Sequence, residues 1–104
     1  MPDVKYCGGV WEMKKIAAIA EGAGLQVSPH GPASPVGNMV SAHICASLPN
    51  FAILETAFGE VPWRAEVVRP AEQFVKGYLT PSERPGFGIE LDPAKIESQK
   101  PMQV

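Results

Sequence analysis

Three titratable residues fall where chemistry could gather: Asp3, His30 and Glu55. Asp3 follows the opening Met-Pro. His30 closes the short run Leu25-Gln26-Val27-Ser28-Pro29-His30. Glu55 closes the apolar run Phe51-Ala52-Ile53-Leu54. Each interval between them has room for one strand, one helix and the connecting loops. An aspartate beside a histidine orients the imidazole and raises its basicity. A histidine so held can take or give a proton near neutral pH. A neighbouring glutamate can hydrogen-bond a substrate oxygen, or serve as a neutral acid where its surroundings raise its pKa. Taken singly, the three read as a turn residue, a loop residue after a proline and a charged strand end. Their periodic placement is what suggests a site. In parallel α/β sheets and barrels, functional groups collect at the carboxyl ends of successive strands.

The elements needed to position them can be read along the chain. Val4 and Tyr6 alternate with Lys5 and read as a strand tail, broken by Gly8-Gly9. A helix is predicted from Val10 to Glu21, with Val10, Met13, Ile16, Ala17 and Ala20 on one stripe. Glu12 lies in its first turn, where negative charge suits the helix N-terminus, and Gly22 and Gly24 end it. Leu25–His30 is a strand stopped at a proline. Ser34 caps a second helix that starts at Pro35 and runs to about Ser47. After the Pro49-Asn50 turn, Phe51–Leu54 is a third strand. The order strand end, helix, strand, helix, strand is the pattern of parallel βαβ units.

Beyond Gly59 prolines recur at 62, 70, 81, 85, 93 and 101. Glu66-Val67-Val68, Gly77-Tyr78-Leu79 and the stretch after Pro85-Gly86 read as short strands, and Asp92-Pro93 opens a last short helix. Residues 97–104 read as a loose tail. This half has few apolar residues, so it is expected to wrap onto another surface. The expected organisation is a βαβαβ part over 1–58 and a C-terminal segment over 59–104.

Composition narrows the function classes. The chain has 104 residues, 45% of them apolar, with 10 Gly, 11 Pro and a formal charge of -2. The glycines and prolines argue against a helical bundle, and the apolar fraction against wholesale disorder. The near-neutral charge offers no basic face for nucleic acid. No run approaches the ~20 apolar residues of a membrane span. The first residues lack a basic start followed by an apolar stretch, so a cytoplasmic location is expected. Cys7 and Cys45 make neither a disulfide framework nor a zinc site, and are expected as reduced, mostly buried thiols. Cys7 has no histidine in evident reach, and His43, Trp11 and Trp63 read as packing or surface residues.

Pro2-Asp3-Val4 followed by Gly8-Gly9 and a helix resembles the sixth strand and helix of the mandelate racemase and muconate lactonising family of the enolase superfamily. Lys14–Glu21 followed by Ser28-Pro29-His30 is similar to its seventh unit. Phe51–Glu55 is similar to its eighth strand, and Pro85–Asp92 to its C-terminal segment. The loop His30-Gly31-Pro32-Ala33-Ser34-Pro35-Val36-Gly37 resembles the acid-sugar dehydratase branch, galactonate dehydratase and its relatives in particular. The resemblance covers roughly residues 2–96.

It implies an α/β fold: the C-terminal portion of a (β/α)8 TIM-type barrel, from the end of strand 6 to strand 8, plus a wrap-around segment. It implies that His30 is the general acid/base, Asp3 its dyad partner, and Glu55 a hydrogen-bonding group on the substrate, with Pro32 in the substrate-binding loop. Magnesium in such enzymes is held by three carboxylates on the third to fifth strands and stabilises the enediolate left by removing a proton α to a carboxylate. Those strands are not in this sequence. The chain is therefore expected to be part of a longer, homo-oligomeric enzyme acting on a small sugar acid, with no metal bound and no activity on its own. A racemase, epimerase or cycloisomerase of the same superfamily is the alternative. A non-catalytic, self-associating fragment is the third reading.

Overall fold

The computed structural model describes residues 1–57 and 59–99. The first helix, α1, spans Val10–Gly22. Two glycines precede it, and both Gly8 and Gly9 take positive φ, which a residue with a Cβ would resist. Its end is a glycine cap. Gly24, at φ 70, lets Leu25 N–H reach back to the Ala20 carbonyl at 2.8 Å, while Gly24 N–H reaches Glu21 at 2.9 Å. The second helix, α2, spans Pro35–Ala46. Ser34 Oγ accepts from Gly37 N–H at its start, and proline occupies the first turn, where a missing N–H costs nothing.

The two helices bury very different amounts. α2 encloses Met39, Val40, Ala42, Ile44 and Cys45, along with Asn38 and Ser41. α1 buries only Met13 and Ala17; Val10 and Ile16, expected on its inner stripe, are exposed, as is Trp11 at 73%. The packed centre is Met13 against Val40 and Ile44, ringed by Val4, Cys7, Val36 and Leu48. Both cysteines are free, and burial pushes the Cys45 thiol up to about 11, so it stays protonated and inert.

Three chain segments lie side by side beneath these helices, but they are less regular than the apolar runs suggest. Residues 27–30 and 51–55 run parallel and share one β-bridge, Val27 with Phe51. Val27 N–H donates to Asn50 O and Ala52 N–H to Val27 O. The next donor in a parallel ladder would be residue 29, and Pro29 has no N–H. The following bond comes from Glu55 N–H to Pro29 O at 3.2 Å. Three residues of the third segment therefore span what two of the second do, a bulge that changes which side chain faces the site. On the other side, His30 N–H donates to Pro2 O at 2.9 Å, aligning residues 1–3 with the second segment. The expected strand through Val4 and Tyr6 is absent. Asp3 O accepts from both Tyr6 and Cys7 N–H, so residues 4–8 form turns. The Asn50 side chain ties the layers together by donating to Ala17 O and Leu25 O.

Residues 59–99 are built from smaller pieces. After a helical turn at Arg64–Glu66, β1 (Val68–Arg69) pairs antiparallel with β4 (Glu90–Leu91). β2 (Phe74–Val75) and β3 (Tyr78–Leu79) form a hairpin. Its turn places Lys76 and Gly77 at positive φ, the geometry that suits a two-residue connection. Glu66, expected in a strand, lies in the helical turn. The last helix, α3 (Pro93–Ser98), is capped by Asp92 and outlasts the expected tail boundary at 97; residues 100–104 lie outside the described residues, as does residue 58 at the expected division.

Candidate active site

The three aligned segments bring Asp3, His30 and Glu55 to one end. Asp3 Oδ2 lies 2.8 Å from His30 Nδ1, and His30 Nε2 lies 3.9 Å from Glu55 Oε2. Asp3 is buried, 7% exposed, whereas His30 and Glu55 are about half open at 42% and 45%. Burial would raise the Asp3 carboxyl. Hydrogen bonds from His30 and from Lys5 N–H, with the Lys5 charge, outweigh it and hold the carboxyl below its ordinary 3.8. An ionised Asp3 can only accept, so His30 Nδ1 carries the proton of that bond and Nε2 presents a lone pair toward Glu55. The arrangement can move a proton at one defined atom, Nε2, beside an exposed carboxylate.

Glu55 is held by its surroundings. Its Oε2 accepts from Gly31 N–H at 3.3 Å. The backbones meet there too: a Cβ on residue 31 would fall 1.4 Å from Glu55 O. Glycine after the histidine is thus what allows the second and third segments to close. Pro32 is exposed, and its carbonyl accepts from Lys5 Nζ.

Sequence reasoning overlooked two members of this cluster. Lys5 donates its backbone N–H to Asp3 Oδ1 at 2.8 Å and sets Nζ 3.4 Å from Asp3 Oδ2. An aspartate followed two residues on by a free N–H is a turn signal that could have marked it. Gly31 gave no local signal, because its constraint comes from a residue 24 positions away. His43 stands apart, with Nε2 3.3 Å from Phe87 O and the rings edge-on at 5.7 Å. Among the described residues, no three His, Cys, Asp or Glu side chains gather closely enough to hold a metal ion, and no helix is long and apolar enough to cross a membrane.

Comparison with known proteins places this geometry in a class. The family described as enolase C-terminal domain-like matches residues 1–95, and the chain belongs to it. Its curated relatives include acid-sugar dehydratases. It is 41% identical over 93 residues to a D-galactonate dehydratase family member of Streptomyces bingchenggensis, a match covering 88% of this chain and 22% of that protein. A mandelate racemase/muconate lactonizing enzyme-like protein of Rubrobacter xylanophilus superposes with TM-score 0.84 at 40% identity, over 97% of this chain and 26% of that one. An enolase from Pantoea ananatis, solved with D-gluconate and magnesium, superposes with TM-score 0.82 at 29% identity, over 91% and 23%. This chain thus spans about a quarter of the length of the proteins it matches.

Proposed function

We propose that this chain carries the acid/base side of the active site of an acid-sugar dehydratase. The carrying observation is the Asp3–His30 contact of 2.8 Å, which leaves Nε2 pointing to the open end beside Glu55. His30 takes the proton α to the substrate carboxylate on Nε2; the C–H electron pair becomes the new carbon–carbon double bond as the β C–O bond breaks with its pair going to oxygen, and Nε2 returns the proton to the departing hydroxyl, which leaves as water. Asp3 stabilises the imidazolium between the two transfers and keeps the ring oriented throughout. Glu55 hydrogen-bonds a substrate oxygen, and the loop at Pro32 borders the substrate. The three aligned segments correspond to barrel strands six to eight, with residues 59–99 packing against a capping domain. The described residues are not arranged to bind magnesium, which the Pantoea ananatis structure holds. Its ligands belong to the third to fifth strands of the whole enzyme. A small sugar acid is the substrate class, and the 104-residue chain alone is inactive.

The test is dehydration of a sugar-acid panel by the whole enzyme that contains this chain. His30→Ala should cut kcat by about 10²–10⁴-fold. Undiminished turnover would remove His30 from the mechanism. A racemase, epimerase or cycloisomerase is the second reading, supported by the likeness to the mandelate racemase/muconate lactonizing enzyme-like protein of Rubrobacter xylanophilus. Deuterium exchange at the α-carbon without loss of water would select it.

A further inference from the structure

We propose that Lys5 is a positioning residue of the Asp3–His30 pair, holding the Asp3 carboxylate at both oxygens and pinning the loop that follows His30. The observations are geometric. Asp3 Oδ2 is shared: His30 Nδ1 meets it at 2.8 Å and Lys5 Nζ at 3.4 Å. Asp3 Oδ1 takes the Lys5 backbone N–H at 2.8 Å, so one residue addresses both oxygens. The same ammonium reaches the Pro32 carbonyl, 27 residues away in the chain. The ammonium also lies over the Tyr6 ring, 5.1 Å from its centroid.

The consequences follow from charge and connectivity. A buried carboxylate with one neutral hydrogen-bond donor would be driven toward its protonated form. A protonated Asp3 could donate to His30 and reverse the ring's tautomer. The Lys5 ammonium adds to the His30 and backbone N–H contacts that keep Asp3 an acceptor, and an accepting Asp3 keeps the shared proton on His30 Nδ1. Holding Pro32 O fixes the start of the 31–34 loop, which carries the Gly31 N–H that binds Glu55. The titratable and charged groups facing Asp3 are Lys5 from its own segment and His30 from the second; Glu55, on the third, lies beyond the imidazole. The inference uses the proposed function only to name the pair as acid and base. The carboxylate behaviour holds whatever reaction the enzyme performs.

That independence sets the experiment. The chain contains two aspartates, Asp3 and Asp92, so a carbonyl-detected NMR titration of their side chains reads the site and an internal control at once. Asp92 caps α3 and pairs with Arg69, far along the chain from Lys5. In Lys5→Met the Asp3 midpoint should move upward while the Asp92 midpoint stays. Lys5→Arg, which restores the cation, should bring the Asp3 midpoint back toward wild type. An Asp3 midpoint unchanged in Lys5→Met would overturn the proposal, as would an upward shift that Lys5→Arg fails to reverse. Should Lys5→Met lose the native amide spectrum, Lys5→Gln supplies the same comparison with a polar side chain. A failure of His30→Ala to affect turnover, by contrast, would sink the dehydratase reading and leave this titration intact.

Discussion

Residues 1–57 and residues 59–99 hold themselves together by different means. The first region has a packed centre, with Met13, Val40 and Ile44 between two helices and ringed by Val4, Cys7, Val36 and Leu48. The second has two two-stranded sheets, a six-residue helix and charge pairs: Arg64 with Glu72, Arg69 with Asp92 and Lys95 with Glu66. Only the first of these pairs is largely buried, and its two-pronged geometry, at 2.8 and 3.2 Å, is the strong form of such a contact. Exposed pairs like Lys95–Glu66 contribute little. Side chains in the second region are mostly open, Val67 and Val68 being buried exceptions. A proton-transfer site demands side chains held to within a fraction of an ångström. That precision is available where backbone segments are hydrogen-bonded side by side next to a packed centre, and Asp3, His30 and Glu55 all sit there.

The largest effect should come from Gly31→Ala. Its Cβ would fall 1.4 Å from Glu55 O, a backbone atom that cannot turn aside. The second and third segments would have to part, at a cost of about 3–5 kcal/mol. Chemical unfolding of the variant should show it; a loss below about 1 kcal/mol would mean the segments are not locked as described.

Next comes a paired substitution across the two regions. Met13→Ala, at a residue with no exposure, should cost about 2–4 kcal/mol. Val75→Ala, 62% exposed on the hairpin, should change stability by no more than about 0.5 kcal/mol. Equal losses, by urea unfolding, would erase the distinction between a packed region and a surface-held one.

The smallest expected effect is acid dependence. Both Asp3 and Asp92 are held below their ordinary 3.8 in the folded chain. For Asp3, burial acts against this, and the His30 and Lys5 contacts overcome it. For Asp92, the Lys95 N–H of the helix cap leads and Arg69 adds to it. A depressed folded value means that stabilisation is complete above 3.8 and is lost as pH falls through the lower folded value. Asp3→Asn should flatten the acid side of the stability curve in the first region. Asp92→Asn should flatten it too, with the helix cap kept, because asparagine still caps a helix but does not titrate. Identical curves for wild type and Asp3→Asn below pH 4 would show that the Asp3 contacts contribute nothing to folding.

Much of this was legible locally. α1 and α2 end within a residue of where their caps and periodicity put them, because Ser34, Pro35 and Gly24 act on their own neighbours. Strands were read too long. Apolar runs reveal burial but not hydrogen-bond partners, and Pro29 removes a ladder donor in mid-run. The alternation of Val4 and Tyr6 was outweighed by Asp3, whose carbonyl and side chain each capture N–H groups just ahead of it. Exposure on α1 escaped the periodicity of Val10 and Ile16, since a stripe tells which residues share a face and not whether a neighbour covers it.

The amino-acid sequence by itself determined the helix limits, the turn chemistry and the placing of Asp3, His30 and Glu55 at segment ends, since these depend on residues a few positions apart. Tertiary structure decided that Asp3 and His30 touch at 2.8 Å while Glu55 stays 3.9 Å from the ring, that Lys5 joins the pair, and that Gly31 must have no side chain. Those outcomes depend on how segments more than twenty residues apart settle against one another. A one-residue bulge opposite Pro29, set by a missing N–H, is enough to choose which side chain meets the histidine.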